Sequence, residues 1–383
     1  MRRALVLFPL IAVLGLSCSH LKLDKPVRLG ADDWPTFGRN VSRTNSSTVS
    51  IVPPLTLAWT QDVTGGIGNG SPLVVDSLVI VGTLRGELYV LNARTGKQRG
   101  WIGLGDAITG SPVVDGSIAY VGTSNTDESL IAYDMNQGRT IWKKAYGDIE
   151  TSPLLDNKRL YFGNTMGRFY CVQQSNGEQL WTFQTPANSR QKGIRSSAAL
   201  ESGVVVFGSE DGSVYALDAE SGNLKWKYTT DQPVVASATA VDGTVYIGNL
   251  DGEFYSLDLQ NGNLRWKLSC GTSIYACAAV SPEQVFVPTT GGFLFSLRRQ
   301  DGAIAWKANL GSVIDAAPVV AGSYIYVGTL QKILYGVRAS DGEVVYSYAV
   351  PGRIKTTPAI AYGKLFVASD ERLILAFTGE GSR

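Results

Sequence analysis

Residues 196–230 read SSAALESGVVVFGSEDGSVYALDAESGNLKWKYTT, and the order of apolar runs and turns in them decides the fold. Val204-Val205-Val206-Phe207 is β-branched and aromatic, the composition of a strand buried on both faces. Glu210-Asp211-Gly212 follows, and Asp-Gly suits a tight hairpin because glycine tolerates positive φ. Val214-Tyr215-Ala216-Leu217 returns as a second strand, and Ala219-Glu220-Ser221-Gly222 turns the chain again. Leu224-Lys225-Trp226-Lys227-Tyr228 alternates apolar and basic residues, the pattern of a strand with one face in water. With the small-residue run before Glu201, the stretch is a four-stranded antiparallel meander.

The meander recurs along the chain. Pro72, Pro112, Pro153, Ala198, Ala238, Ala278, Pro318 and Pro358 open successive units, at steps of 40, 41, 45, 40, 40, 40 and 40 residues. Gly82, Gly122, Gly163, Gly208, Gly248, Pro288, Gly328 and Ala368 form a second column with the same steps. Trp101, Trp142, Trp181, Trp226, Trp266, Trp306 and Tyr346 form an aromatic third. A period near 40 residues with four strands per unit predicts a β-propeller. A stacked solenoid would need polar capping repeats at its ends. Here the last unit stops after three strands, at Leu373 to Phe377. An unpaired aromatic strand, Leu55 to Trp59, precedes the first unit. Joined to the last three strands it completes an eighth blade, pairs strand edges that would otherwise recruit other chains, and ties both ends into one ring. Each aromatic of the third column is expected between neighbouring blades. The lysines and arginines opposite them, Lys143, Lys225, Lys227, Arg265, Lys267 and Lys307, are expected to discourage edge-to-edge aggregation.

The expected layout is a signal segment over 1–18, a tether over 19–50, an eight-bladed all-β propeller over 51–378 and a tail over 379–383. Length alone would allow two or three domains, but one closed ring of eight units uses it all. The 383 residues are 44% hydrophobic with a formal net charge of +1, so a nucleic-acid footprint, which needs a clustered basic face, is not expected. Arg2 and Arg3 precede an apolar run, Ala4 to Leu16, too short to span a membrane comfortably. The run ends Leu14-Gly15-Leu16-Ser17-Cys18, which resembles a bacterial lipoprotein cleavage box with Gly15 where leucine is usual. The resemblance implies acylation at Cys18 and, with Ser19 next, sorting to the outer membrane. An ordinary secretory signal or an N-terminal membrane anchor is the alternative. In the tether, Trp34 and Phe37 are expected to pack on the propeller rim. Cys171 falls inside a strand and reads as a buried thiol, and the positions of Cys270 and Cys277 do not favour a disulfide.

Leu217-Asp218-Ala219-Glu220-Ser221-Gly222 with Trp226 is similar to the PQQ-like propeller repeat. Leu257-Asp258 to Trp266 and Tyr133-Asp134 to Trp142 repeat it. Arg298 and Arg338 depart by replacing the Asp, as does Asn92, and at Gly100-Trp101 the Trp slips by one residue. The resemblance covers residues 51 to 378. It embraces quinoprotein dehydrogenases, which hold PQQ and calcium on the axis, and the BamB branch of outer-membrane assembly lipoproteins. Trp59, Gly65-Gly66-Ile67-Gly68 and Leu91 to Lys97 look like the first blade of that second branch.

A quinoprotein centre needs an adjacent Cys-Cys pair, a carboxylate base and oxygen ligands for calcium. The chain has no Cys-Cys, and its only histidine, His20, lies outside the repeats, so a His-based triad or metal cluster in the propeller is not expected. Asp106, Asp148, Glu150, Asp231 and Asp315 precede inner strands; charges solvated on the rim are the expected reading, and Glu150 and Asp315, nearest to those strands, are the ones that would face the axis under the alternative. No cofactor or catalytic residue is expected. The step of 45 residues places an insertion at 185–195, and insertions in propellers enter loops that meet partners. In the assembly lipoproteins the corresponding loop contacts the periplasmic domains of the barrel-forming subunit. The resemblance therefore implies partner binding by Ile194 and Arg195, with Asp231 in the next connection; a length-tolerant loop that meets no partner is the alternative. The expected function is a non-catalytic scaffold in β-barrel assembly, a monomer held within a larger complex on the periplasmic face of the outer membrane by the lipid on Cys18. A PQQ- or sugar-binding periplasmic propeller is the alternative.

Overall fold

In the computed structural model, which describes residues 21–124, 127–186 and 193–380, the repeat is a ring of eight four-stranded antiparallel blades, the seventh joined on its inner edge by a short parallel strand, Ser46–Ser47. Blade 1 spans 73–103, blade 2 113–144, blade 3 154–184, blade 4 199–229, blade 5 239–269, blade 6 279–309 and blade 7 319–349. Blade 8 takes three strands from 359–378 and its outermost from Thr56–Asp62. That strand runs antiparallel to Leu373–Thr378, with Thr56 opposite Thr378 and Asp62 opposite Leu373. The predicted closure of the ring by the N-terminal strand is therefore observed.

The columns explain themselves in three dimensions. Every indole of the column except Trp101 crosses to the next blade, where its Nε1 donates to a turn carbonyl: Trp226 to Leu259 O at 2.8 Å, Trp266 to Arg299 O at 2.9 Å, Trp306 to Ala339 O at 2.8 Å. The ring lies flat on a glycine of that turn. Gly262, at φ +73°, has room for no Cβ, which would fall 2.7 Å from the Trp226 ring. The turn is held by Asp258 Oδ1, which accepts the backbone N–H groups of Gln260 and Asn261. Where Arg298 and Arg338 replace that aspartate, the carboxylate has moved three residues on. Asp301 pairs with Arg298 and accepts from Ala303 N–H, and Asp341 does the same with Arg338 and Glu343. The basic outer-strand residues do more than guard an edge: Lys307 Nζ stands 3.7 Å from the centre of the Phe293 ring, a cation–π contact.

The slip at Gly100-Trp101 leaves one socket empty of indole. Gly100 pairs with Val90, the place held by Tyr346 in blade 7 and by a Trp in the other six blades, and Trp101 turns over to stack on Tyr89, ring centres 5.9 Å apart. The N-terminal segment fills the vacancy. A Cβ on Gly138 would meet Lys22 Cβ and Leu21 O. Leu23 N–H donates to Met135 O at 2.6 Å, the carbonyl an indole would otherwise take. Tyr133 donates its hydroxyl to Leu21 O at 2.7 Å.

This corrects the reading of residues 19–50 as a tether: those described, from Leu21 on, belong to the folded body. Leu21, Leu23 and Val27 are buried between blades 1 and 2. Trp34 is fully buried rather than on the rim, and pairs with Val74 on the innermost strand of blade 1. The chain then circles the hub. Pro35 O accepts from Val114 N–H, Val41 O from Leu200, Ser42 O from Ala240, Thr44 O from Val280 and Asn45 O from Val320. Those donors sit on the innermost strands of blades 2, 4, 5, 6 and 7. In the closed ring these strands are the inner edges of the sheets, facing the axis, and their N–H groups need partners. The segment supplies them and plugs one end of the axis. Its tight coil requires left-handed backbone at Gly38, Arg39, Arg43 and Asn45; a Cβ on Gly38 would lie 2.8 Å from Arg43 Cα.

Arg43 is the bolt of the plug. Its side chain is wholly buried, and it donates to Ala198 O at 3.0 Å, Ser152 O at 3.1 Å, Pro153 O at 3.4 Å, Thr36 Oγ1 at 2.9 Å and Phe37 O. Burial lowers its pKa to about 10, so it is charged at neutral pH.

Candidate functional site: the axial funnel

The unplugged end of the axis opens as a funnel of about 420 Å³. Its wall follows from a column that runs through the connections between blades: Ile67, Ile108, Ile149, Ile194, Val234, Ile274, Ile314 and Ile354. All eight are buried. Six of them, all but Ile67 and Ile314, pack on the glycines of the preceding blade's strand-end column, which are there for them. A Cβ on Gly163 would lie 2.3 Å from Ile194 Cγ2, and one on Gly328 2.1 Å from Ile354 Cγ2. With this apolar residue turned into the ring, the next one turns to the axis. Thr109, Glu150, Arg195, Val235, Tyr275, Asp315 and Lys355 thus line the mouth, one per blade.

Deeper in lies a girdle of serines at the residue preceding each inner strand's Pro or Ala. Ser71 N–H donates to Ser111 Oγ at 2.6 Å, Ser111 to Ser152 at 2.8 Å, Ser152 to Ser197 at 2.9 Å and Ser197 to Ser237 at 2.9 Å. The girdle is replaced by Cys277 and Ala317 in blades 6 and 7. There Phe37 of the plug covers the apolar gap, packed with Ala276, Cys277 and Ala317. So Phe37 forms the funnel floor rather than part of the rim.

The mouth carries two opposed charge pairs. Arg195 bridges Glu150 of the preceding connection and Glu210 of blade 4, the latter at 2.8 Å. Glu210 also accepts Gly193 N–H at 3.0 Å and so fixes the end of the inserted connection. Four blades away Lys355 stands near Asp315. Burial raises the Asp315 pKa, against the opposing pull of the Lys355 charge. Tyr275, 47% exposed, lies between the two pairs. The Cys277 thiol on the wall is pushed up to about 11 by burial. Cys171, Cys270 and Cys277 are all free. Among the described residues no group of three His, Cys, Asp or Glu is placed to hold a metal ion.

Of the carboxylates expected as solvated rim charges, Glu150 and Asp315 line the axis instead. Arg195 is at the mouth with 45% of its side chain exposed. Asp231 is exposed on the next connection and is not part of the funnel wall. Ile194 is a correction. It is buried completely because it belongs to the apolar column, so it anchors the connection and offers no surface to a partner. Residues 187–192 of the insertion, and Cys18, lie outside the described residues. Tyr275, Lys355 and Glu210 escaped the sequence reading. The apolar column, had it been aligned, would have found the first two as its following residues.

The sequence profile of the family described as "Outer membrane protein assembly factor BamB" matches residues 54–183, 171–313 and 296–383. The chain is similar to the outer membrane protein assembly factor BamB of Bordetella pertussis, 26% identical over 183 residues, which is 47% of this chain and 46% of that one. It is also similar to the dehydrogenase subunit of alcohol dehydrogenase (quinone) of Gluconobacter oxydans, 27% identical over 217 residues, 52% of this chain and 25% of that one. The chain thus aligns with about half or a quarter of the length of these relatives. Among solved structures, BamB from Moraxella catarrhalis superposes with a TM-score of 0.71 at 20% identity, covering 85% of this chain and 99% of that one, a likeness of fold.

Proposed function

Because this chain belongs to the family of the outer membrane protein assembly factor BamB, we propose that it is a non-catalytic scaffold assisting β-barrel assembly, anchored by lipid on Cys18 to the periplasmic face of the outer membrane. One observation carries the reading. Arg195 is held at the funnel mouth by two carboxylates, half exposed and directly after the connection that breaks the repeat. A pre-ordered guanidinium on a rigid ring loses little freedom on docking. It can exchange a surface carboxylate for one supplied by a partner, here the periplasmic domains of the barrel-forming subunit. Asp231, on the neighbouring connection, would meet a cation of that partner. Co-purification of the barrel-forming subunit with the tagged protein from envelope extracts tests this. Arg195→Glu should reduce recovery at least several-fold; recovery equal to wild type would remove Arg195 from the interface.

The likeness to quinone-dependent dehydrogenases and the position of the funnel on the axis favour a second reading, a propeller that binds PQQ or a sugar. A ligand that binds only the folded state raises the melting temperature by mass action. Saturating PQQ with calcium should therefore shift the transition under this reading and leave it unmoved under the first.

A further inference from the structure

We propose that the residues just after Cys18 orient the ring on an anionic lipid surface: the plugged face, at the rim of blades 1 and 2, lies against the headgroups, and the funnel mouth opens away from them. The inference rests on the anchoring reading above.

Its first support is the shortness of the leash. Leu21 is wholly buried and fixed through Tyr133, and Leu23 is fixed through Met135. Only two residues separate Cys18 from Leu21, so the two Cα atoms can be at most roughly 11 Å apart. A single blade of four strands is already about 14 Å across at ~4.8 Å per strand. An acylated Cys18 can therefore reach only the seam between blades 1 and 2, not the far rim or the opposite mouth. The lipid holds a folded edge of the ring, not a loose tail.

Its second support is the side of the disc from which the leash leaves. Val27 N–H donates to Ser117 Oγ at 2.9 Å and Arg28 N–H to Asp76 Oδ2 at 3.1 Å. Ser117 and Asp76 lie in the turns joining the first and second strands of blades 2 and 1. Gly138 lies in the turn joining the third and fourth strands of blade 2. In an antiparallel meander these turns share one face, and the turn joining the second and third strands, which carries Glu210 and Leu250 at the mouth, falls on the other.

Its third support is charge. Lys22, Lys25 and Arg99 are exposed and line one groove at this seam, and none of them forms an ion pair among the described residues. Asp24 and Asp76 are the acids of the groove. Unpaired cations beside a lipid anchor are a second attachment signal for anionic headgroups.

The test uses the full-length lipidated protein in phosphatidylethanolamine vesicles containing phosphatidylglycerol. A photoreactive benzoylphenylalanine replaces Gln98 at the seam, Lys267 on the outer strand of blade 5, or Tyr275 at the mouth. The expected result is lipid adducts at position 98 at least ten-fold above those at 267 and 275, reduced several-fold by Lys22→Glu with Lys25→Glu. Equal yields at the three positions, or a maximum at 275, would overturn the orientation. Labelled palmitate on wild type and on Cys18→Ser reads the anchor separately. No label on wild type overturns the anchoring reading, whereas label with even adduct yields overturns the orientation alone.

Discussion

Arg43→Met should loosen the hub of the propeller and lower its melting temperature by about 5 °C. The guanidinium serves four backbone carbonyls and one hydroxyl drawn from the plug and from blades 3 and 4. Hydrogen bonds from a charged donor are worth about 1.5–3 kcal/mol each. Five of them do not sum, because burying the cation itself costs several kcal/mol. Methionine relieves that cost, keeps most of the volume and leaves the carbonyls without a donor. Each carbonyl left buried without its donor costs about 1–3 kcal/mol, and the relieved burial of the cation offsets part of the sum, so we take about 4 kcal/mol. At about 2.1 cal/mol/K per residue the unfolding entropy of the 383-residue chain is about 0.8 kcal/mol/K, which gives the stated shift. Calorimetry reads it, with Arg298→Met, an exposed ion-pair variant, as the control that should not move. Amide exchange adds a local readout. Leu200, Ala240 and Val280 donate to Val41, Ser42 and Thr44 of the plug, and should exchange faster in Arg43→Met. A melting temperature within 1 °C of wild type, with unchanged exchange at those three amides, would refute the bolt.

Gly262→Ala and Gly203→Ala separate steric from backbone effects. Both glycines have φ near +74°, worth about 1–2 kcal/mol of strain for alanine. Only the Cβ at 262 strikes the Trp226 indole, so the 262 variant should be clearly the less stable in urea; equal midpoints would mean the socket is loose. Asp315→Asn should melt above wild type at pH 7. Burial raises the folded-state pKa of Asp315, so the folded state holds its proton more tightly. Stability is then lost as pH rises from the unfolded value, about 3.9, through the raised one, and the penalty is complete above it. The two proteins should converge below pH 4, and a destabilised Asp315→Asn at pH 7 would contradict the sign. Burial pushes Cys171 and Cys270 up to about 12 and Cys277 up to about 11. In a Cys18→Ser background Ellman's reagent at pH 8 should therefore find no thiol in the native protein and three in urea; a native signal would place one of them in solvent.

The blade period, the closing strand and the aromatic column were all readable from residue order. Each is a contact between neighbours that recurs because the unit recurs, and Trp226 on Gly262 repeats what Trp266 does on Gly302. Even the slipped Trp101 was visible as an exception, though nothing local says that Leu21 to Leu23 would occupy its socket. Ile194 was misassigned because an inserted connection hides its place in the apolar column, and only packing on Gly163 reveals it. The plug could not be read at all. Residues 34–47 are polar and aperiodic, since their task is to satisfy the free edges of six blades and not to bury one apolar face. Arg43 meets carbonyls 109 to 155 residues away. Local chemistry along the chain fixes the ring; which strand edges remain open, and so what the polar N-terminal segment is for, exists only once the ring has closed.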